Sequence, residues 1–164
     1  MTMPHEERAA LVARYASGAD AFEVAIGDAQ DHELDAHPIP GEWSVREITH
    51  HLCDSEMTAA IRLRRLIAED QPQIVGYDEM EYSRRLHYPE RPIGPSITAM
   101  RAARDTSLSI LERLTESEWA RTGTHTEGGA YSVEIWLRIY ANHPREHGEQ
   151  AARVLEALRG GGRG

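Results

Sequence analysis

Four long stretches of this sequence place apolar residues at helical spacing, and they restrict the chain to a fold made mainly of helices. They cover residues 6–29, 44–69, 95–115 and 132–158. In each stretch apolar residues recur every three or four positions, which gives a helix one face to bury. We predict a single all-α domain, most simply a four-helix bundle, because helices of this kind bury their apolar faces against each other.

The connections between these stretches are irregular. We predict a short helix at 78–86 and a glycine-rich loop or small hairpin at 122–131. A chain of 164 residues suits one domain with a sizeable core. We expect that domain to span 1–158 and the segment "RGGGRG", 159–164, to be a disordered tail.

The second helix has a clear start signal in the segment "SVRE", residues 44–47. The Ser44 hydroxyl can accept a bond from a free backbone N–H of the first turn, while Glu47 reaches back to the N–H of Ser44. Trp43 precedes this capping box as a candidate hydrophobic staple. The pattern predicts that the helix begins at Ser44.

The composition excludes several classes of function. A net charge of −9 argues against nucleic acid and anionic membranes as partners. All 18 basic residues are arginine, which excludes Schiff-base chemistry, attachment of pyridoxal phosphate and a Walker-type phosphate loop. Cys53 is the single cysteine, so neither a disulfide within the chain nor a cysteine-based zinc site is possible.

The expected compartment is the cytoplasm. No run approaches the roughly 18 apolar residues of a membrane span. The first ten residues, "MTMPHEERAA", turn polar at once and contain no apolar signal core.

On the second helix, geometry separates two adjacent histidines. At about 100° per residue, His51 heads a polar stripe beside the core face, whereas His50 points away from the core and is predicted to be solvated. That core face holds Val45, Ile48, Leu52, Ala59, Leu63 and Leu66.

On the fourth helix, His143 and His147 share the face that carries Trp136 and Tyr140. Both histidines are therefore predicted to face the core. Pro144 stands between them and should kink the helix by removing one backbone hydrogen bond. Even if the helix restarts there, His147 stays about one turn beyond His143.

These three histidines allow two interpretations, and spacing alone leaves both open. In the first interpretation they form a metal site. Neutral imidazole is the commonest ligand for divalent transition metals, and three ligands leave coordination positions open. Alternatively, they are unrelated polar residues of the core.

The segments "PGEWSVREITHHLCDSE" and "HTEGGAYSVEIWLRIYANHPREHGEQ" resemble the DinB-like (DinB/YfiT-like) family of metalloenzymes. The shared features are the Trp43–Ser44 helix start, His51 followed by leucine, and a His-x-x-x-His pair, His143 and His147, on the last helix. The resemblance covers residues 40–158, which is most of the chain.

The resemblance implies a four-helix bundle that binds a divalent metal, zinc or nickel, through His51, His143 and His147. It also implies a homodimer and a small-molecule substrate. Some relatives are hydrolases, and others are S-transferases or isomerases that use a low-molecular-weight thiol. No feature of the sequence names the substrate or a catalytic residue.

Three further residues are candidates on the polar stripe of the second helix. Asp54 follows His51 by three positions and could be a fourth ligand or an acceptor that orients an imidazole; it could equally be a solvated acid. Arg62 and Arg65 continue the stripe, and they could bind a carboxylate of the substrate or pair with acids of a neighbouring helix.

Two classes of function therefore stay open. In the first, the protein is a metal-dependent enzyme, a hydrolase or thiol S-transferase. In the second, it is a non-catalytic, stress-related binding or dimerisation bundle whose metal site is structural or vestigial. The apolar residues Met57 and Ile61, directed away from the core of the second helix, add to the expectation of a homodimer.

Overall fold

The fold is known from a computed structural model that describes residues 3–161. Within them the elements in chain order are α1 (His5–Ala16), α2 (Gly18–Ile26), α3 (Asp31–Leu34), α4 (Val45–Ala68), β1 (Gln73–Ile74), α5 (Glu79–Arg85), the 3-10 helix Tyr88–Glu90, α6 (Ile93–Leu111), α7 (Glu116–Trp119), β2 (Thr122–His125), β3 (Gly129–Ser132) and α8 (Val133–Gly161). Across residues 3–161, no helix combines the length and apolar character that crossing a membrane requires.

Four long helical members make up the bundle, which confirms the predicted fold class. They are the pair α1 and α2, then α4, α6 and α8. Helix α4 packs against α6 and α8, while α1 and α2 contact both α8 and α6, so the four members close around a common interior. The predicted short helix is also present, as α5.

The apolar interior consists of two clusters with a polar layer between them. Along α4, Leu52 belongs to one cluster and Ala59 to the other; along α8, Ala151 and Ala141 divide in the same way. On α8, His143 and His147 lie between Ala141 and Ala151, and on α4 His51 is the neighbour of Leu52 at the end of its cluster. The bundle therefore holds its candidate site at the boundary between the two apolar clusters.

Helix α4 begins as its capping box predicts. The Ser44 hydroxyl accepts a hydrogen bond from the Glu47 backbone N–H at 3.2 Å. In return, a Glu47 carboxylate oxygen accepts from the Ser44 backbone N–H at 2.9 Å. Trp43 packs against the adjacent apolar cluster. These contacts fix the start of the helix that carries His51.

The prediction of one continuous helix over 6–29 is wrong, because the chain breaks at Ser17 into α1 and α2. The break coincides with a close approach at Gly18. A Cβ atom there would lie 2.6 Å from Arg104 Nη2 and 3.2 Å from Pro144 Cγ. Glycine thus lets the start of α2 approach α6 and α8 more closely than any other residue would.

Helix α8 continues through Pro144. Proline has no backbone N–H, so the Tyr140 carbonyl loses its usual donor. Arg104 Nη2 supplies a replacement at 3.2 Å. The helix then runs to Gly161, which makes the first three residues of the predicted tail helical; residues 162–164 lie outside the described part of the chain.

The predicted loop or hairpin over 122–131 is a hairpin. Strands β2 and β3 pair antiparallel, with Gly123 opposite Tyr131. The two-residue strand β1 pairs with β2 in parallel, and no pattern in the sequence indicates this strand. The sheet is a small addition that packs beside α4 and the start of α8.

Arg104 and Glu56 form an ion pair inside the polar layer. Arg104 is 2% exposed and Glu56 is completely buried. Arg104 Nη2 also donates to the Tyr15 carbonyl at 2.6 Å. Burial raises the pKa of the Glu56 carboxyl to about 7, against the opposing effect of the Arg104 charge. Loss of either residue would therefore leave the other buried without its ionic partner.

Replacing Arg104 with alanine should lower the free energy of unfolding by about 3–5 kcal/mol, because it leaves a buried carboxyl without its partner. It also removes the donor to two backbone carbonyls. Urea denaturation measures the loss. The control is Arg113→Ala, which removes an exposed arginine paired loosely with Glu112 and should cost no more than about 1 kcal/mol. Equal stability of the two variants would contradict this account of the interior.

Candidate metal centre

Three histidine side chains from two helices converge inside the bundle. His143 Nε2 lies 3.4 Å from His51 Nε2 and 3.1 Å from His147 Nε2. One ring nitrogen from each of the three lies within 4.8 Å of the others. His51 is 3% exposed, and the other two are partly buried. We refer to these residues as the histidine triad.

The register of α8 against α4 brings the triad together. Trp136 Nε1 donates to the Ala59 carbonyl at 2.8 Å, in the buried interface between the two helices. His51 precedes Ala59 by about two helical turns, and His143 follows Trp136 by about two turns. Because the helices run in opposite directions, these steps lead to the same level of the bundle.

Hydrogen bonding leaves a lone pair of His147 directed into the triad. His147 Nδ1 lies 2.9 Å from the side-chain oxygen of Gln150. An amide oxygen only accepts, so the ring proton is on Nδ1 and Nε2 carries the lone pair. Such a bond to the outer ring nitrogen is usual for histidines that bind metals.

The interior keeps the three imidazoles neutral. Burial lowers the pKa of His51 to about 3 and that of His143 to about 2, and the neighbouring imidazoles contribute further. Burial lowers the pKa of His147 as well. Neutral imidazole is the form that binds a metal.

The donor set and its spacing fit one small divalent ion. With metal–nitrogen distances of about 2.0–2.1 Å in tetrahedral geometry, two ligand nitrogens are about 3.3 Å apart. Two of the Nε2 separations in the triad, 3.4 and 3.1 Å, lie on either side of that value. Within residues 3–161, His51 Nδ1 and His143 Nδ1 are buried without a hydrogen-bond partner. The triad thus offers several nitrogen atoms that can bind a metal, on imidazoles that carry no positive charge.

Two residues that the sequence reading missed border the triad. A Glu79 carboxylate oxygen on α5 lies 3.8 Å from His51 Nδ1, and Gln150 binds His147. The i, i+3 spacing of Gln150 from His147 could have identified it. Glu79 lies on a separate short helix, and no spacing in the sequence connects it with His51. The Trp43 ring, 4.9 Å from the His51 ring between centroids, covers another side.

Comparison with known proteins places the chain in a family. The model of the DinB superfamily matches residues 14–151. The chain belongs to the DinB superfamily. A relative from Oceanobacillus iheyensis, named "Putative metal-dependent hydrolase", is 37% identical over 120 residues, which are 73% of this chain and 69% of that protein. A Geobacillus kaustophilus protein with the same description is 28% identical over 135 residues, 81% and 75% of the two chains.

A solved structure shares the fold of this DinB-superfamily member. It is YfiT from Bacillus subtilis, described as "a probable metal-dependent hydrolase with an unusual four-helix bundle topology". The TM-score is 0.89 at 23% sequence identity, and the match covers 97% of this chain and 91% of that one. The likeness confirms the bundle.

The prediction that His50 is solvated is wrong in this DinB-superfamily chain. His50 is completely buried. Its Nδ1 lies 2.8 Å from Ser96 Oγ, and its Nε2 lies 3.0 Å from the Arg91 carbonyl. Helix α6 packs on this face of α4. Helix α4 therefore has two buried faces, whereas its pattern of apolar residues predicted only one. His50 nevertheless stays outside the triad.

The other candidates of the polar stripe do not reach the triad. Asp54 accepts a hydrogen bond from the Tyr88 hydroxyl at 2.6 Å, and its carboxylate is not part of the histidine group found in residues 3–161. Arg65 binds Glu69 at 2.9 Å and the Gln73 carbonyl at 2.8 Å. Arg62 points instead into a cavity beside α8.

His50→Ala should lower the free energy of unfolding by about 1–3 kcal/mol, because it leaves Ser96 and the Arg91 carbonyl without their buried partner. Thermal or urea denaturation measures this loss. The metal content of the folded variant should equal that of the parent protein. Loss of metal from a folded His50→Ala variant would place His50, and not His51, in the site.

Proposed function

We propose that the histidine triad holds one divalent metal ion, zinc or nickel, and that the protein is a metal-dependent hydrolase. The observation that carries this proposal is the convergence of three Nε2 atoms, from neutral and wholly or partly buried imidazoles, at the spacing of ligands around one ion. The names of the two relatives, each a "Putative metal-dependent hydrolase", support the choice of reaction.

Three protein ligands leave at least one coordination position for water or substrate, as catalytic sites require. When bound, a divalent ion supplies Lewis acidity, lowering the pKa of a water molecule and polarising an oxygen of the substrate. The surrounding side chains then have two tasks, which are to orient the imidazoles and to limit access of bulk water.

Gln150 and Glu79 perform the orienting task. The side-chain oxygen of Gln150 accepts a hydrogen bond from His147 Nδ1. Glu79 is 57% exposed at its side chain, and its carboxylate oxygen lies 3.8 Å from His51 Nδ1, beyond hydrogen-bond distance. The Gln150 contact keeps the ring proton of His147 on Nδ1 and its lone pair on Nε2, and the charge of Glu79 favours the same arrangement in His51. Both are positioning residues.

Transfer to a low-molecular-weight thiol stays a prediction based on the family resemblance. No contact within residues 3–161 favours a thiol over water. A non-catalytic role is the other alternative, and it is separated from the enzyme by assay: full metal occupancy with no turnover would favour it.

The triad predicts the metal content of the protein purified without a histidine tag. Inductively coupled plasma mass spectrometry should find about one divalent ion per chain. Alanine at position 51, 143 or 147 should weaken binding by more than about 100-fold, because losing a ligand costs more than the ~10–100-fold typical of its outer partners. Metal-dependent hydrolysis of p-nitrophenyl acetate or p-nitrophenyl phosphate should disappear in the same variants.

The matched control is His32→Ala, which removes an exposed histidine of α3 and should leave metal binding unchanged. If all three triad variants bind metal like the parent, the site is elsewhere. If the parent binds metal fully and hydrolyses none of a broad panel of esters, amides and phosphoesters, the hydrolase assignment is wrong.

We also propose a homodimer that buries one face of α4. Met57 and Ile61 lie one turn apart on this helix, and they are 42% and 59% exposed. Light scattering at micromolar concentration should give twice the 18.4 kDa mass of one chain, and Ile61→Glu should halve it. A parent protein that stays at the mass of one chain would dispose of this proposal.

A further inference from the structure

A cavity of about 500 Å³ opens between the middle of α4, the β2–β3 hairpin and the first half of α8. Its walls include Arg62, His125, Tyr131, Ile135, Ile139 and Tyr140. The size suits a small organic molecule. The polar and apolar side chains of the wall occupy different places, and this division indicates what kind of molecule fits.

Arg62 is a half-buried cation without an anionic partner. Among residues 3–161 no carboxylate lies within 4 Å of its guanidinium, whereas Arg65 and Arg104 both pair with acids. Arg62 Nη1 donates to the Tyr140 hydroxyl at 3.0 Å, and Nη2 donates to the Val75 carbonyl at 2.7 Å. Both acceptors are neutral, so they orient the guanidinium without balancing its charge. Arg62 Nε is buried and has no acceptor among the described residues.

Tyr131 adds a second unused donor. The residue is 6% exposed, and its buried hydroxyl lies beside Arg62 and the Tyr140 hydroxyl without a well-formed hydrogen bond among the described residues. Burial raises the pKa of this hydroxyl, so it stays protonated and able to donate. A buried donor without an acceptor is costly. An oxyanion beside Arg62 could accept from it.

The outer wall of the cavity is apolar. Ile135 and Ile139 lie one turn apart on α8, and they are 38% and 45% exposed although they are large aliphatic side chains. The acid of the wall, Glu127, belongs to the exposed hairpin turn, where solvent screens its charge. A ligand would therefore place its charge at Arg62 and an apolar portion against the two isoleucines.

The cavity is next to the histidine triad. Tyr140, which holds Arg62 in place, precedes His143 by about one turn of α8. The centroids of the Tyr140 and His143 rings are 6.0 Å apart. The cavity lining does not include the three histidines, so a molecule anchored at Arg62 would have to extend past Tyr140 to reach the triad.

We propose that this cavity binds the oxyanion of the substrate, a carboxylate or phosphate on a molecule with an apolar portion, through Arg62 and Tyr131. As a statement about substrate it rests on the proposed function, but the binding itself needs no metal. Arg62 gives charge-assisted hydrogen bonds, and Tyr131 adds a neutral one. The triad would then act on a bond elsewhere in the anchored molecule.

The test uses the metal-free protein and three probes of similar size: phenylacetate, phenyl phosphate and the neutral phenylacetamide. Isothermal titration calorimetry should show at least about tenfold tighter binding of one or both anions than of the amide, since an ionic partner adds roughly 1.4 kcal/mol or more. Comparing the two anions decides between a carboxylate and a phosphate as the natural group.

Variants locate the binding. Arg62→Met keeps an unbranched stem of similar bulk, removes the guanidinium charge and should weaken anion binding at least about tenfold. Tyr131→Phe removes one hydroxyl and should weaken it about two- to tenfold. Arg65→Met is the matched control and should bind like the parent. If Arg62→Met fails to fold, Tyr131→Phe against Arg65→Met carries the comparison.

Phenylacetamide binding as tightly as both anions would overturn the proposal, and so would unchanged anion binding in Tyr131→Phe and a folded Arg62→Met. The metal content of the same variants shows whether the metal site is intact, independently of anion binding in the cavity. Anion binding without metal supports the cavity alone, whereas metal binding without anion preference supports the triad alone.

Discussion

The buried guanidinium of Arg104 joins the four members of the bundle at one level. It extends from α6 to the carboxyl of Glu56 on α4, the carbonyl of Tyr15 on α1 and the carbonyl of Tyr140 on α8. Arg104 and Glu56 lie between the two apolar clusters of the interior. A charge removed from water is tolerated here because its partners satisfy it from several sides.

The same guanidinium explains how a proline can stand between two histidines of one site. Pro144 deprives the Tyr140 carbonyl of its helical donor, and Arg104 restores a donor from outside the helix. The backbone between His143 and His147 therefore stays helical. Their side chains remain about one turn apart on one face, which is the spacing that lets both reach His51. The site thus depends on a contact made by residues that do not belong to it.

Much of the fold and of the triad followed from local patterns. Helical periodicity and the Ser44 capping box predicted α4, and the i, i+4 pair His143 and His147 predicted a shared face. The remaining features depend on which elements meet. The burial of His50 follows from α6 packing on a face of α4 that its own sequence does not mark as apolar. Glu79 approaches His51 through α5, a helix too short to show a packing pattern.

The close packing around Gly18 restricts which residues the chain can carry at this position. Arg104 Nη2 and Pro144 Cγ occupy the space that any other residue at position 18 would need. A larger side chain at position 18 would push the Arg104 guanidinium away from the Tyr140 carbonyl. That displacement would disturb the helical turn between His143 and His147. A larger residue at position 18 would thereby disturb the geometry of histidines that stand more than a hundred positions later in the chain.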